Sequence, residues 1–152
     1  MTLYAFASQY PVLQKKEELL LNSGFDGEID PFKIIAYFIK KGDLEIIKAL
    51  IESGYDVNSA EHGDFGSSLL HNAIRYDQIE IFHYLLEQGA DIDFVDAVGW
   101  TPLMEAIIDG KPAYGKILID RGCNQNIANK RGVTAKEMAR MFGQQEFLVF
   151  LD

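Results

Sequence analysis

The chain is poor in the residues that build disulfides, metal centres and membrane spans. Its 152 residues include one cysteine, Cys123, so no disulfide can form within the chain. A reducing compartment, the cytoplasm, is therefore expected. The three histidines, His62, His71 and His83, fall in no HExxH or Cys/His ligand spacing, and no metal or cofactor is implied. No apolar run approaches the roughly 20 residues that a membrane-spanning helix needs. The opening MTLYAFASQYPVLQKKEE has neither a basic start nor a long apolar stretch, so no signal peptide is expected. Basic residues are scarce in one region. Between positions 42 and 110 only Lys48 and Arg75 stand against fourteen acids, in a chain of net charge −9. Such an acidic middle repels phosphate and argues against nucleic acid. It suits a partner with a basic surface, or a solvated face and nothing more.

What the chain does have is a period. Gly54-Tyr-Asp-Val-Asn58, Gly89-Ala-Asp-Ile-Asp93 and Gly122-Cys-Asn-Gln-Asn126 place their glycines 35 and 33 residues apart. A second landmark follows each turn. Gly66-Ser-Ser-Leu-Leu-His-Asn-Ala73, Gly99-Trp-Thr-Pro-Leu-Met-Glu-Ala106 and Gly132-Val-Thr-Ala-Lys-Glu-Met-Ala139 begin 33 residues apart both times. Two landmarks with one period indicate stacked supersecondary units. Each unit reads as two short helices. In the best-defined one, Leu69 to Tyr76 is followed by a break at Asp77, then Ile81, Phe82, Leu85 and Leu86 at helical spacing. Ser68, Thr101 and Thr134 suit helix N-termini, and the glycine after each second helix suits its end.

These units resemble ankyrin repeats, whose pattern runs T-P-L-H-x-A, a glycine between helices, then L-L-x-x-G-A-D-I/V-N/D. Thr101-Pro102-Leu103 and Leu85-Leu86-Glu-Gln-Gly89-Ala90-Asp91-Ile92-Asp93 match best, and Leu70-His71-Asn72-Ala73 supplies the histidine. Departures are Ser68-Leu69 for Thr-Pro, Met104 for His, and Lys136-Glu137 for Leu-His. The resemblance covers roughly residues 31–152. It implies an all-α helix–turn–helix solenoid of about four repeats, near 31–63, 64–96, 97–129 and 130–152. Residues 1–30 are expected to form a helical cap or a degenerate repeat. The C-terminal run Phe147-Leu148-Val149-Phe150-Leu151 has little polar capping. Folding back, a partner, or self-association with another copy could cover it.

The resemblance further implies a concave binding surface made by the turn tips and the outer faces of the first helices. The candidate partner-binding residues are Asp64, Phe65, Arg75, Tyr76, Phe94, Val98, Trp100, Ile108, Asp109, Arg131 and Phe142. Phe65, Tyr76, Val98, Trp100, Ile108 and Phe142 are large and apolar without a repeat-building role. Aromatic enrichment in interface cores favours a binding reading over one in which they only support the stack. The expectation is a non-enzymatic module that masks or recruits another protein. A small acidic inhibitor, or an immunity or antitoxin protein shielding a basic toxin, is one specific form.

One segment suggests a rival. Gly110-Lys111-Pro112-Ala113-Tyr114-Gly115-Lys116 has the GxxxxGK spacing of a phosphate loop, which would make the chain a nucleotide-binding enzyme using Lys111, Lys116 and Asp120. However, residue 117 is Ile where a magnesium-binding Ser or Thr is needed. In the repeat register the segment is the turn between two helices, with Pro112 opening the second.

Overall fold

The computed structural model describes residues 1–152. Three helices, α1 (Leu3–Gln9), α2 (Pro11–Gln14) and α3 (Glu17–Asn22), precede four helix pairs. The pairs are α4 (Pro31–Lys41) with α5 (Leu44–Glu52), α6 (Leu69–Arg75) with α7 (Ile79–Glu87), α8 (Pro102–Ile108) with α9 (Pro112–Asp120), and α10 (Ala135–Met141) with α11 (Gln145–Leu148). The first helices α4, α6, α8 and α10 form a row in which each touches the next. The second helices touch one another less. The resemblance to ankyrin repeats implies that the first-helix side is the concave one.

Local chemistry sets the helix starts. Asp30, Ser68, Thr101 and Thr134 each accept a backbone N–H from the first turn of the helix that follows. Such caps contribute about 1 kcal/mol each. The turns between paired helices share one conformation. Gly42, Gly110 and Gly143 have φ of +71°, +62° and +67°, and Asp77 occupies the same register at +57°. Asp77 is the one non-glycine residue with positive φ. Its Oδ1 accepts a hydrogen bond from the Tyr114 hydroxyl of the next unit at 3.0 Å, which offsets the backbone cost.

A single apolar cluster runs through the stack from Leu3 to Leu151. At the N-terminal end, Ile29 N–H donates to Met1 O at 2.7 Å and ties the first strand of chain to the start of the first pair. Phe6, Tyr10 and Tyr55 pack with ring centroids 4.8 to 6.3 Å apart and join α1 to the turn after α5. At the other end the chain folds back. Phe147 and Leu151 are buried, while Val149 is 85% exposed.

The Gly110–Lys116 segment is built for packing. Gly110 is the left-handed turn residue and Pro112 is the first residue of α9. Lys111 Nζ donates to Ile74 O at 2.5 Å and Arg75 O at 2.9 Å, carbonyls that end α6. Gly115 lies inside α9, and a Cβ there would stand 2.4 Å from the Phe147 ring. Lys116 is exposed in mid-helix. The helix α8 precedes the segment, so its backbone N–H groups do not ring a phosphate as they would after a buried strand.

Candidate functional site

On the first-helix side, between α6 and α8, lies a cleft of about 500 Å³, lined by Phe65, Arg75, Asp96, Val98, Trp100, Glu105, Ile108 and Asp109. The turn that forms its upper wall is fixed by a carboxylate. Asp96 Oδ1 accepts the N–H of Val98 at 3.0 Å and of Trp100 at 2.7 Å. Asp96 N–H donates in turn to Trp100 O at 2.9 Å. Ala97 N–H donates to Phe65 O at 2.8 Å, which holds the preceding turn alongside and leaves the Phe65 side chain 61% exposed.

His71 supports this turn from beneath. Its Nδ1 accepts from Ser68 N–H at 3.3 Å, so the ring proton sits on Nε2 and is donated to Trp100 O at 3.1 Å. Burial pushes the imidazole pKa down to about 4, with Asp96 and the Trp100 carbonyl opposing the shift. A second proton would also set Nδ1–H against the Ser68 N–H.

The floor of the cleft is an ion pair. Arg75 Nε donates to Glu105 Oε1 at 2.9 Å, and Arg75 Nη2 donates to Ser67 Oγ at 3.3 Å. Glu105 is buried, and its burial raises the carboxyl pKa, an effect that Arg75 opposes and that Asp109 and Asp96 reinforce. Asp109 stands one helical turn on from Glu105. It meets Lys111 Nζ only at 3.9 Å, because that ammonium is directed at the α6 carbonyls.

Two smaller clefts continue the groove. One, of about 260 Å³ between α4 and α6, includes Tyr37, Lys40, Arg75 and Tyr76, with Lys40 Nζ 5.6 Å from the Tyr76 ring centre. The other, of about 100 Å³ between the turn before α8 and α10, includes Trp100, Arg131, Met141 and Phe142. Arg75 is shared on one side and Trp100 on the other, so the three clefts form one surface.

Of the sequence-derived candidates, Phe65, Arg75, Val98, Trp100, Ile108 and Asp109 meet in the central cleft. Tyr76 lies in the first flanking cleft, and Arg131 and Phe142 in the second. Asp64 is exposed beside Phe65 but lines none of the three. Phe94 also lines none of the three. It is half-buried, with its ring edge-on to His71 at 6.2 Å. Sequence reasoning missed Glu105. The signal was a lone acid inside the apolar run Leu103-Met104-Glu105-Ala106-Ile107, in a region with only two bases to pair with it. Cys123 is buried, which pushes its thiol up to about 11 and leaves it a packing residue, not a nucleophile.

The sequence matches the description of ankyrin repeats in three copies over residues 7–96 and of a further ankyrin repeat over residues 98–130. Among similar proteins, protein phosphatase 1 regulatory subunit 27 of Homo sapiens is 35% identical over 94 residues, 62% of this chain and 60% of that protein. Protein phosphatase 1 regulatory subunit 12A of Mus musculus is 34% identical over 89 residues, 59% of this chain and 9% of that protein. Ankyrin repeat and SAM domain-containing protein 6 of Mus musculus is 26% identical over 113 residues, 74% of this chain and 13% of that protein. The chain thus spans less than two thirds of each of these relatives. Their shared likeness lies in the repeats, and those repeats, which occupy most of this sequence and build its stacked helix pairs, place the chain in the ankyrin-repeat family.

Proposed function

We propose that this chain is a non-catalytic protein-interaction module that holds a partner protein against its concave side. The observation that carries this reading is the central cleft. Four apolar side chains, Phe65, Val98, Trp100 and Ile108, line it beside Asp96, Glu105 and Asp109, with Arg75 as the one base. Aromatic anchors in a pocket with charged neighbours are the usual source of interface energy. Two relatives bear the name of phosphatase regulatory subunits, which suits a module that acts by binding. The acidic surplus favours a partner with a basic surface. The partner is masked or recruited, as an acidic inhibitor or immunity protein would hold a basic enzyme or toxin. Self-association through the C-terminal end is a second reading: Phe147 and Leu151 are covered by the chain itself but Val149 is exposed, and a concentration-dependent mass in sedimentation would support it.

The test is capture from source-cell lysate by the intact chain and by a Phe65→Ala/Trp100→Ala variant shown to be folded by circular dichroism. Each anchor is expected to contribute roughly 1–3 kcal/mol, so the double variant should lose the partner. A partner retained equally by both proteins would move the site off this face.

A further inference from the structure

We propose that the central cleft is selective for arginine: it receives the guanidinium of an arginine side chain on the partner, with the aliphatic stem against Val98 and Ile108. This rests on the protein-binding reading and names the group that the same site recognises.

The argument starts from charge. The cleft holds three carboxylates, Asp96, Glu105 and Asp109, and one cation, Arg75. Arg75 is pinned to the wall by Glu105 and Ser67, and Lys111 Nζ stands 3.9 Å from Asp109, so these two cations leave a surplus of one negative charge. Lys111 donates its hydrogen bonds to two α6 carbonyls, so its ion pair with Asp109 leaves the Asp109 oxygens without a donor. Asp109, the residue that caps the end of α8, follows Glu105 by four residues, one helical turn on, and like charges so placed repel. That repulsion reinforces the raised pKa of Glu105. A bound cation would relieve it.

Hydrogen-bond capacity points the same way. The chain's hydrogen bonds engage only Oε1 of Glu105 and only Oδ1 of Asp96, and none engages the Asp109 carboxylate. None of the remaining oxygens is among the sealed, unpartnered atoms of the interior. Asp109, which is exposed, therefore keeps its acceptors free in the cleft that Phe65 and Trp100 line, and buried Asp96 and Glu105 add negative charge to the same lining. A planar guanidinium fits that set better than an ammonium, because it donates in a fork to carboxylates and stacks on aromatic faces. The aliphatic wall of Val98 and Ile108 suits the three-carbon stem.

The chain has a single tryptophan, so its one indole N–H resonance reports on this cleft. The probes are three capped tripeptides, glycine-X-glycine with X as arginine, lysine or citrulline, titrated against the full chain. The arginine peptide should move the indole signal saturably and bind at least fivefold more tightly than the lysine peptide. The citrulline peptide, equal in shape but uncharged, should not saturate. Asp109→Asn should weaken the arginine peptide severalfold while leaving the rest of the spectrum in place. Equal responses to all three peptides, or to none, would overturn the arginine assignment. If that happens while the Phe65→Ala/Trp100→Ala variant still loses the captured partner, the face is right and the recognised group is wrong. An arginine response together with undiminished capture would instead overturn the protein-binding reading of this face.

Discussion

Lys111 and Asp109 stand two residues apart after α8, and their charges are used in different ways. Lys111 belongs to a segment whose spacing reads as a phosphate loop. In the fold its ammonium donates to Ile74 O and Arg75 O, the carbonyls that end α6. The second glycine of that segment, Gly115, gives room to the Phe147 ring. Asp109 belongs to the neighbouring cleft, where three carboxylates face one pinned arginine. One region has its polar groups matched inside the chain. The other keeps a surplus of negative charge beside the exposed Phe65 ring and the half-buried Trp100. A motif-like spacing is therefore a weaker guide to function than an unbalanced group, because packing can account for the first and leaves the second over.

The largest expected effect breaks the packed side. Phe147→Ala removes a fully buried ring over Gly115 and should cost roughly 3 kcal/mol, read as a lower urea midpoint. A loss below about 0.5 kcal/mol, the range of ordinary surface changes, would mean that the fold-back of the chain is not a stable part of the stack.

The cleft side should answer to pH. The folded pKa of His71, about 4, lies below the usual 6.5, so the unfolded chain binds more protons between those values. Stability from this group is present above pH 6.5 and is lost as pH falls toward 4. The full effect is about 3 kcal/mol at one pKa unit per 1.36 kcal/mol. Urea melts across this window should flatten in His71→Leu, whatever its baseline stability. An equally steep decline in that variant would assign the dependence to other groups.

The smallest effects separate the two lysines of the motif-like segment. Lys111→Met should cost roughly 1–2 kcal/mol through the lost α6 carbonyl contacts. Lys116→Ala, at an exposed mid-helix position, should stay within about 0.5 kcal/mol. Thermal melts of both variants, with and without magnesium nucleotide, sharpen the contrast. A nucleotide-dependent shift abolished by Lys116→Ala would restore the phosphate-loop reading.

Much of the stack was legible because its rules are local. Ser68, Thr101 and Thr134 sit where hydroxyls cap helices, and the break at Asp77 falls in the register of Gly42 and Gly110. Of the candidate site, the outward apolar residues could be found by subtracting the repeat-building positions. Phe94 could not be placed that way, since its ring turns toward His71 on the first helix of its own unit. Glu105 was hidden for a related reason. Its partner Arg75 lies 30 residues earlier, and only stacking brings them to 2.9 Å.

The sequence by itself determined the period, the helix starts, the left-handed turns and the acidic character of the middle units. These follow from the backbone preferences of single residues and from counting charges. Tertiary structure alone decided that Lys111 serves a neighbouring helix, that Gly115 makes room for Phe147, and that three carboxylates share one cleft with one arginine. Those outcomes depend on distances between units, and a period fixes which units are neighbours without fixing which side chains meet.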